Sequence, residues 1–554
     1  MKSAISDQKL RGAYYTPTTI ARFLADWAIQ SPHVRVLEPS CGDGSLLAAA
    51  IDTLTGQGAT PGQIANSVYA VEIDPLEAQK AQEHFARRQI HVNGQIHVGD
   101  FFDYCRDRLF RGVSFDAIIG NPPFIRYQNF QEAQRSVAFR LMQLAGMRPT
   151  HLTNAWVPFL VASTLLLNKH GGRLAMVIPA ELLQVSYTAE LREFLVNSYS
   201  RITLFTFRKL VFSGIQQEVV LLLGERNGDE RTGIRAIELD DDADLSFYEH
   251  TDFAQADLKV MDHSKAKWTQ YFLEQAEIDL FRNLQRRDDV TRLGAILQVD
   301  VGIVTGQNDF FVLHEGKARA LNLEAYTLPI VTRSAQLKGI QFSTSELNAS
   351  AAQGIPTLLL TSPDLPVAQL PMNLQSLIRE GEQARYHEGY KCRIRQYWYV
   401  APSVWTPDAF LLRQIHLHPK LVLNRANATV TDTIHRVKFI AEQVAPENIA
   451  AAFCNSLTFL AAELMGRSYG GCVLELEPTE AENLPIPLVN AERLDFAQIN
   501  ELIAGGKIED ALNLTDPLLL GQGLGLGSAE VTLLRRAWQK LRDRRINRKH
   551  KSRE

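Results

Sequence analysis

Six short apolar runs rich in Val, Ile and Leu punctuate the chain: Val34–Leu37, Val68–Ile73, Phe115–Ile119, Leu174–Ile178, Ile202–Phe207 and Val219–Leu223. Amphipathic stretches such as Leu76–Arg88 and Ala189–Tyr199 lie between them. This alternation predicts an α/β fold with a mostly parallel sheet covered by helices on both faces. Helix-length crossovers let the first strands stay parallel. Only LVFSGIQQE separates the last two runs, which predicts one antiparallel strand at an edge of the sheet. Ile237–Asp262 is acidic and weakly periodic and reads as a connecting segment. Beyond residue 286 the pattern turns to irregular strands, loops and aromatic clusters. Asn500–Leu512 and Ala529–Ile546 read as helices, joined by the Gly- and Leu-rich connection NLTDPLLLGQGLGLGS. The expected organisation is an α/β domain at 1–235, a linker at 236–285, a mixed α+β domain at 286–500 and a helical segment at 501–554.

Composition narrows the class. At 45% hydrophobic and 22% charged residues, the chain is neither disordered nor fibrous. The longest nearly continuous apolar stretch, Ala155–Leu167, is shorter than the ~20 residues of a membrane span. The opening residues MKSAISDQKLRGAYYTP contain no apolar core, so a secretory signal is not expected. Five scattered cysteines (Cys41, Cys105, Cys392, Cys454 and Cys472) form no CxxC pair, so neither a disulfide framework nor a metal site is expected. The expectation is a reduced, cytoplasmic enzyme with no membrane partner. The net charge of −4 hides a basic tail: Arg535–Glu554 holds ten Lys or Arg against two acids. That tail reads either as a solvated helix end or as an arm for phosphates.

The chemistry gathers at the ends of the predicted strands. The first runs into EPSCGDGSLL, where Gly42 and Gly44 permit a tight turn and a close ligand approach. No GxGxxG and no following Lys-Ser/Thr is present, which argues against a phosphate cradle. The second ends YAVEIDP, offering Glu72 and Asp74 for ribose hydroxyls or, equally, for capping the next helix. The third ends HVGDFFDY, placing Asp100 beside the aromatic Phe101 for an adenine ring. Three acidic strand ends without a basic partner favour a nucleoside lacking phosphates, such as S-adenosylmethionine. The fourth ends FDAIIGNPPF. The Asn121 side-chain oxygen and the Pro122 carbonyl can accept both hydrogens of an aromatic amine and direct its lone pair at a methyl donor. Pro122 and Pro123 fix the acceptors beforehand, and Phe124 can stack on the ring.

At these motifs the sequence resembles the gamma-class, TaqI-like and Eco57I-like adenine-N6 DNA methyltransferases of restriction–modification systems. The resemblance implies a Rossmann-like class I methyltransferase sheet, S-adenosylmethionine as cofactor and double-stranded DNA as substrate. It also implies a flipped-out adenine and a cognate restriction endonuclease as a further partner. By the same resemblance Tyr15, Thr16 and Pro17 contact the methionine part of the cofactor. Glu38, Ser40, Cys41 and Gly42 match the cofactor loop, Glu72 the ribose ligand, and Asp100 and Phe101 the adenine pocket. Asn121, Pro122, Pro123 and Phe124 match the catalytic motif, and Phe212 matches an aromatic that stacks on the extruded base.

In the second half, VGIVTGQNDFFVL, YWYVAPSVW and GRSYGGCVLELEPTEAENLPIP resemble parts of that family's target-recognition domain, with Cys472 where a third glycine is expected. The segment RYHEGYKCRIRQYWY sets Arg385, Lys391, Arg393 and Arg395 among five aromatics. Such residues bind phosphates and stack on bases, or else the aromatics are core and the cations solvated. Three alternatives to DNA methylation are an RNA base, a protein glutamine amide as acceptor, and a catalytically inactive DNA-binding module.

Overall fold

The computed structural model describes residues 15–92, 94–212, 218–226, 231–248, 256–469 and 472–547. The chain forms two compact units, the first running to Gln275 and the second from Ala276 to Ile546.

The first unit is built on eight strands: β1 (Val36–Glu38), β2 (Val68–Glu72), β3 (Ile96–Val98), β4 (Ala117–Gly120), β5 (Arg173–Pro179), β6 (Arg201–Phe207), β7 (Val219–Glu225) and β8 (Gly233–Leu239). Their order is β3-β2-β1-β4-β5-β7-β6-β8. The β1 pairings with β2 and β4 are parallel, as are β2–β3 and β4–β5. Only β7 runs antiparallel to its neighbours, β5 and β6. It therefore lies inside the sheet and not at an edge as the pattern predicted. All seven of its residues are buried, as a strand paired on both sides and covered on both faces requires.

The predicted linker is also part of this unit. β8 crosses the expected boundary at residue 235 and pairs in parallel with β6. Lys259 bridges back to Ile234, and buried Arg192 donates to the Lys265 and Ala266 carbonyls. Trp268 and Tyr271 are fully buried.

Helix Thr18–Ala28 packs Ile20, Phe23, Leu24 and Trp27 inward, and the Phe23 ring meets Phe205 edge-on at 5.2 Å. The long apolar stretch forms helix Trp156–Leu166, which is buried on nearly every side and so needs no polar face. Among the described residues no single helix is long and apolar enough to cross a membrane.

The second unit holds a five-stranded sheet through Leu297–Val301, Ile434–Phe439, Ala409–Leu412, Leu421–Arg425 and Gln341–Ser343, together with smaller sheets. Helix Ser528–Ile546 packs on helix Ser456–Met465 inside this unit, so the residues from 501 to 546 are no separate segment. The Gly- and Leu-rich connection is partly helical. Helix Ile508–Asp516 continues as a π-helical stretch over Pro517–Gly523, with Leu519 and Leu520 buried.

Candidate active site

The carboxyl ends of β1, β2, β3 and β4 open on one edge of the sheet, where the strand order reverses between β1 and β4. The loop after β1 turns through Gly42 (φ 51°) and Gly44 (φ 84°). A Cβ on Gly44 would lie 2.8 Å from the His84 ring and 2.9 Å from Ala81 Cα, so this glycine is sterically required. His84 Nε2 sits 3.0 Å from the Asp43 carbonyl oxygen, and Cys41 N donates to the Val71 carbonyl at 3.0 Å. Glu72 ties two loops together. Its Oε2 accepts from Gly42 N at 2.8 Å and its Oε1 from Asp74 N at 2.9 Å.

Glu38, at the end of β1, is 2% exposed, and among the described residues its Oε2 has no hydrogen-bond partner. Burial pushes its pKa well above the usual carboxylate range, and the nearby Asp43 and Glu72 push it further. Asp100 caps the helix that follows β3. Its Oδ1 accepts from Phe102 N and Asp103 N at 2.8 and 3.2 Å, and its Oδ2 accepts from Gln134 Nε2 at 2.7 Å. Beside it the Phe101 and Phe159 rings stack at 5.1 Å and 17°.

At the end of β4, Asn121 Nδ2 donates to Thr16 Oγ1 at 3.2 Å, which makes Oδ1 the acceptor end of the amide. Ser40 Oγ donates to the Asn121 carbonyl at 3.4 Å. These groups line a cavity of about 650 Å³.

Residues 1–305, more than half of the chain, match the N-6 DNA Methylase family. The chain belongs to that family. Residues 265–520 of the methylase match the C-terminal domain of the type II methyltransferase M.Eco57I. Among curated relatives, the type II methyltransferase M.AccI of Acinetobacter calcoaceticus is 21% identical over 492 residues, covering 86% of this chain and 85% of the relative. M.XamI of Xanthomonas campestris pv. amaranthicola is 24% identical over 495 residues, covering 86% and 85%. The solved structure of the type IIL restriction–modification enzyme MmeI in complex with DNA shares the fold. It has a TM-score of 0.56 at 11% identity, over 95% of this chain and 75% of that one. The methylase is an adenine-specific DNA methyltransferase.

Of the residues expected in its site, Tyr15, Thr16, Glu38, Ser40, Cys41, Gly42, Glu72, Asp100, Phe101, Asn121 and Pro123 line the cavity. Pro17 instead starts helix Thr18–Ala28, its carbonyl accepting from Ala21 N. Pro122 is buried, and Phe124 is half-buried against the core behind the site. Phe212 is 5% exposed inside that same core, so its ring is not presented to the cavity. Gly12 to Tyr14 lie outside the described residues, as do 213–217 of the Phe212 loop. Phe159, Phe130 and Gln134 complete the pocket and were not singled out in the sequence. They carry no local motif: Gln134 and Phe159 arrive on helices and Phe130 on the loop before one.

In the second unit the cations of RYHEGYKCRIRQYWY divide. Arg385 pairs with Glu388 at 2.9 Å. Arg395 turns inward, donating to the Val304 carbonyl at 2.8 Å over the Phe311 ring, and burial lowers its pKa. Lys391 and Arg393 face solvent. Tyr399 is buried, and Trp398 packs on Phe310 at 4.5 Å, while Tyr390 is exposed. Cys472 holds φ 66°, so the left-handed turn survives without a glycine. The described part of the basic tail lies in helix Ser528–Ile546, and two of its arginines are used internally. Arg535 pairs with Asp516 at 2.8 Å and Arg545 with Glu463 at 2.6 Å. Residues 548–554 lie outside the described residues.

Proposed function

We propose that the methylase transfers a methyl group from S-adenosylmethionine to N6 of an adenine turned out of duplex DNA, as the modification activity of a restriction–modification system. The observation that carries this reading is the charge of the cavity. Glu38, Asp43, Glu72, Asp74, Glu77 and Asp100 line it together, and among the described residues no Lys or Arg does. Such a wall repels phosphates and suits a nucleoside bearing positive charge. Glu38, buried with an unpartnered oxygen, takes the cofactor's ammonium group. Glu72 takes ribose hydroxyls, and Asp100 with the Phe101–Phe159 stack takes the adenine. When bound, S-adenosylmethionine supplies a methyl group already activated on a sulfonium.

The protein's part is orientation. Thr16 holds the Asn121 amide so that Oδ1 and the Pro122 carbonyl accept the two amine hydrogens of the target base. The nitrogen lone pair then points at the methyl group, and Phe124, only half-buried against the core, stacks on the base with its open part. Turning the base out costs a few kcal/mol, which contacts from the second unit offset. Lys391 and Arg393 contribute phosphate contacts there. That the curated relatives M.AccI and M.XamI are type II methyltransferases supports the restriction–modification role.

Asn121→Ala tests this reading. Removing one preorganised acceptor is expected to cost about 10²–10³-fold in turnover while S-adenosylmethionine still binds. Mass spectrometry of nucleosides from treated DNA measures N6-methyladenine, and sequencing for modified positions measures whether one site recurs. Near-normal methylation by the variant would sink the mechanism.

A further inference from the structure

Behind the catalytic tetrapeptide, outside the cavity lining, three half-buried polar side chains meet. Asn154, just before helix Trp156–Leu166, donates Nδ2 to Glu181 Oε2 at 3.2 Å and to the Tyr187 hydroxyl at 2.9 Å. The Tyr187 hydroxyl in turn donates to Glu181 Oε2. The opposite end of the Asn154 amide, Oδ1, accepts from Tyr127 N at 3.0 Å. The next residue, Ala155, donates its N to the Ile125 carbonyl at 3.0 Å. Tyr187 also packs edge-on against the buried Trp156 indole at 6.4 Å.

These bonds converge on the residues that leave Asn121–Phe124. Ile125 and Tyr127, just after the tetrapeptide, each have their backbone held by the segment before helix Trp156–Leu166. Glu181 and Tyr187 follow the end of β5, the parallel neighbour of β4. The Asn154 amide is held at both ends, Nδ2 by Glu181 and Tyr187 and Oδ1 by Tyr127 N, so three partners set its orientation. Burial keeps the Tyr187 phenol neutral far above its usual range, with the Glu181 carboxylate adding to the effect, so it remains a donor.

We propose that Asn154, Glu181 and Tyr187 form a clamp that positions the exit of the catalytic tetrapeptide, and through it the two acceptors aimed at the target amine. The proposal rests on the methyl-transfer reading above. None of the three touches cofactor or base; they are positioning residues. Their effect falls on the chemical step, because a misplacement of about 1 Å at such acceptors costs about 10²-fold in rate.

The test is single-turnover methylation of duplex DNA by the full chain, with S-adenosylmethionine binding measured by calorimetry. Asn154→Ala and Glu181→Ala are expected to slow the methyl-transfer step about 10- to 100-fold while the KM values for cofactor and DNA stay within about threefold. Tyr187→Phe removes one hydroxyl and keeps the packing, and is expected to cost about 10-fold, so the test survives if either alanine variant fails to fold. Glu181→Gln keeps the acceptor and is expected to recover most of the Glu181→Ala loss. Wild-type rates in Asn154→Ala and Tyr187→Phe would overturn the clamp. So would a Glu181→Gln variant as slow as Glu181→Ala, which would assign the charge itself a role. If the unsubstituted protein binds the cofactor but makes no N6-methyladenine, the methyl-transfer reading fails, a result visible before any variant is made.

Discussion

Glu38 in the first unit and Asp516 in the second are both sealed carboxylates, 2% and 0% exposed, and burial pushes the pKa of each upward. Their surroundings are opposite. Asp516 Oδ1 accepts from Ser456 N at 2.9 Å, and its Oδ2 from Ser456 Oγ at 2.6 Å and from Arg535 at 2.8 and 3.2 Å. Glu38 has one oxygen without a partner, and the charges nearest it are Asp43 and Glu72, which repel it. The same burial therefore means two different things. A buried carboxylate whose partners are complete joins segments of a fold. On the function proposed above, one with an open oxygen among like charges is kept for a cation.

This contrast can be broken by substitution. Asp516→Ala strips Arg535 and Ser456 of their acceptor, and removing one member of a buried pair costs about 3–5 kcal/mol. Urea unfolding of the second unit should report that loss, and a change below about 1 kcal/mol would remove one side of the comparison. Glu38→Gln should behave in the reverse way. It relieves a desolvated charge among acids, so the free protein should melt no earlier, whereas the cofactor dissociation constant should rise about 10-fold or more, as for a lost charge-assisted hydrogen bond. Calorimetry beside a melting scan decides it.

The pH dependence sharpens the same point. In the free protein Glu38 holds its proton to a higher pH than an ordinary glutamate, with Asp43, Glu72 and the Cys41 thiol as its titratable neighbours. A cationic partner lowers that pKa on binding. Between the bound and free pKa values the protein must release a proton to bind, so affinity should fall as pH drops through that window. Glu38→Gln should flatten this slope, and an unchanged slope would assign the pH dependence elsewhere.

The smallest effect concerns the surface of the second unit. Lys391→Ala and Arg393→Ala should each reduce the salt slope of DNA binding by about 1, whereas Arg385→Ala and Arg395→Ala should not. Equal slopes for all four would erase the distinction between spent and available cations.

How far the chain could be read without coordinates follows the range of the interactions involved. The strands and the acids at their ends were legible because alternation and spacing are local. The position of β7 was not, because strand order depends on pairing partners far apart in sequence. β8 reads GIRAIEL, and its Arg235 and Glu238 look like solvent positions, yet Arg235 is buried and donates to the Ala256 carbonyl. In the site, Glu38, Glu72, Asp100 and Asn121 announce themselves at strand ends. Phe159 and Gln134 arrive on helices whose letters name only their own hydrophobic faces. The loop suggests Phe212 for the base, but its ring is buried in the hydrophobic core. Arg393 and Arg395 are the same letter two positions apart. The Val304 carbonyl and the Phe311 ring that Arg395 reaches separate them.

The helix Ser528–Ile546 bears on how the protein is made. It supplies the buried Trp538, and its Arg545 reaches Glu463 and the carbonyls of His416 and Cys472. On the ribosome, the first unit has its whole sheet available once Gln275 has emerged. The second lacks Arg545 for Glu463 and Arg535 for Asp516 until helix Ser528–Ile546 appears, roughly tens of seconds later. During that interval helix Ser456–Met465 lacks the cover that helix Ser528–Ile546 gives part of its apolar face. The catalytic unit thus completes first, and the second stays open to chaperones and proteases until synthesis reaches Ile546.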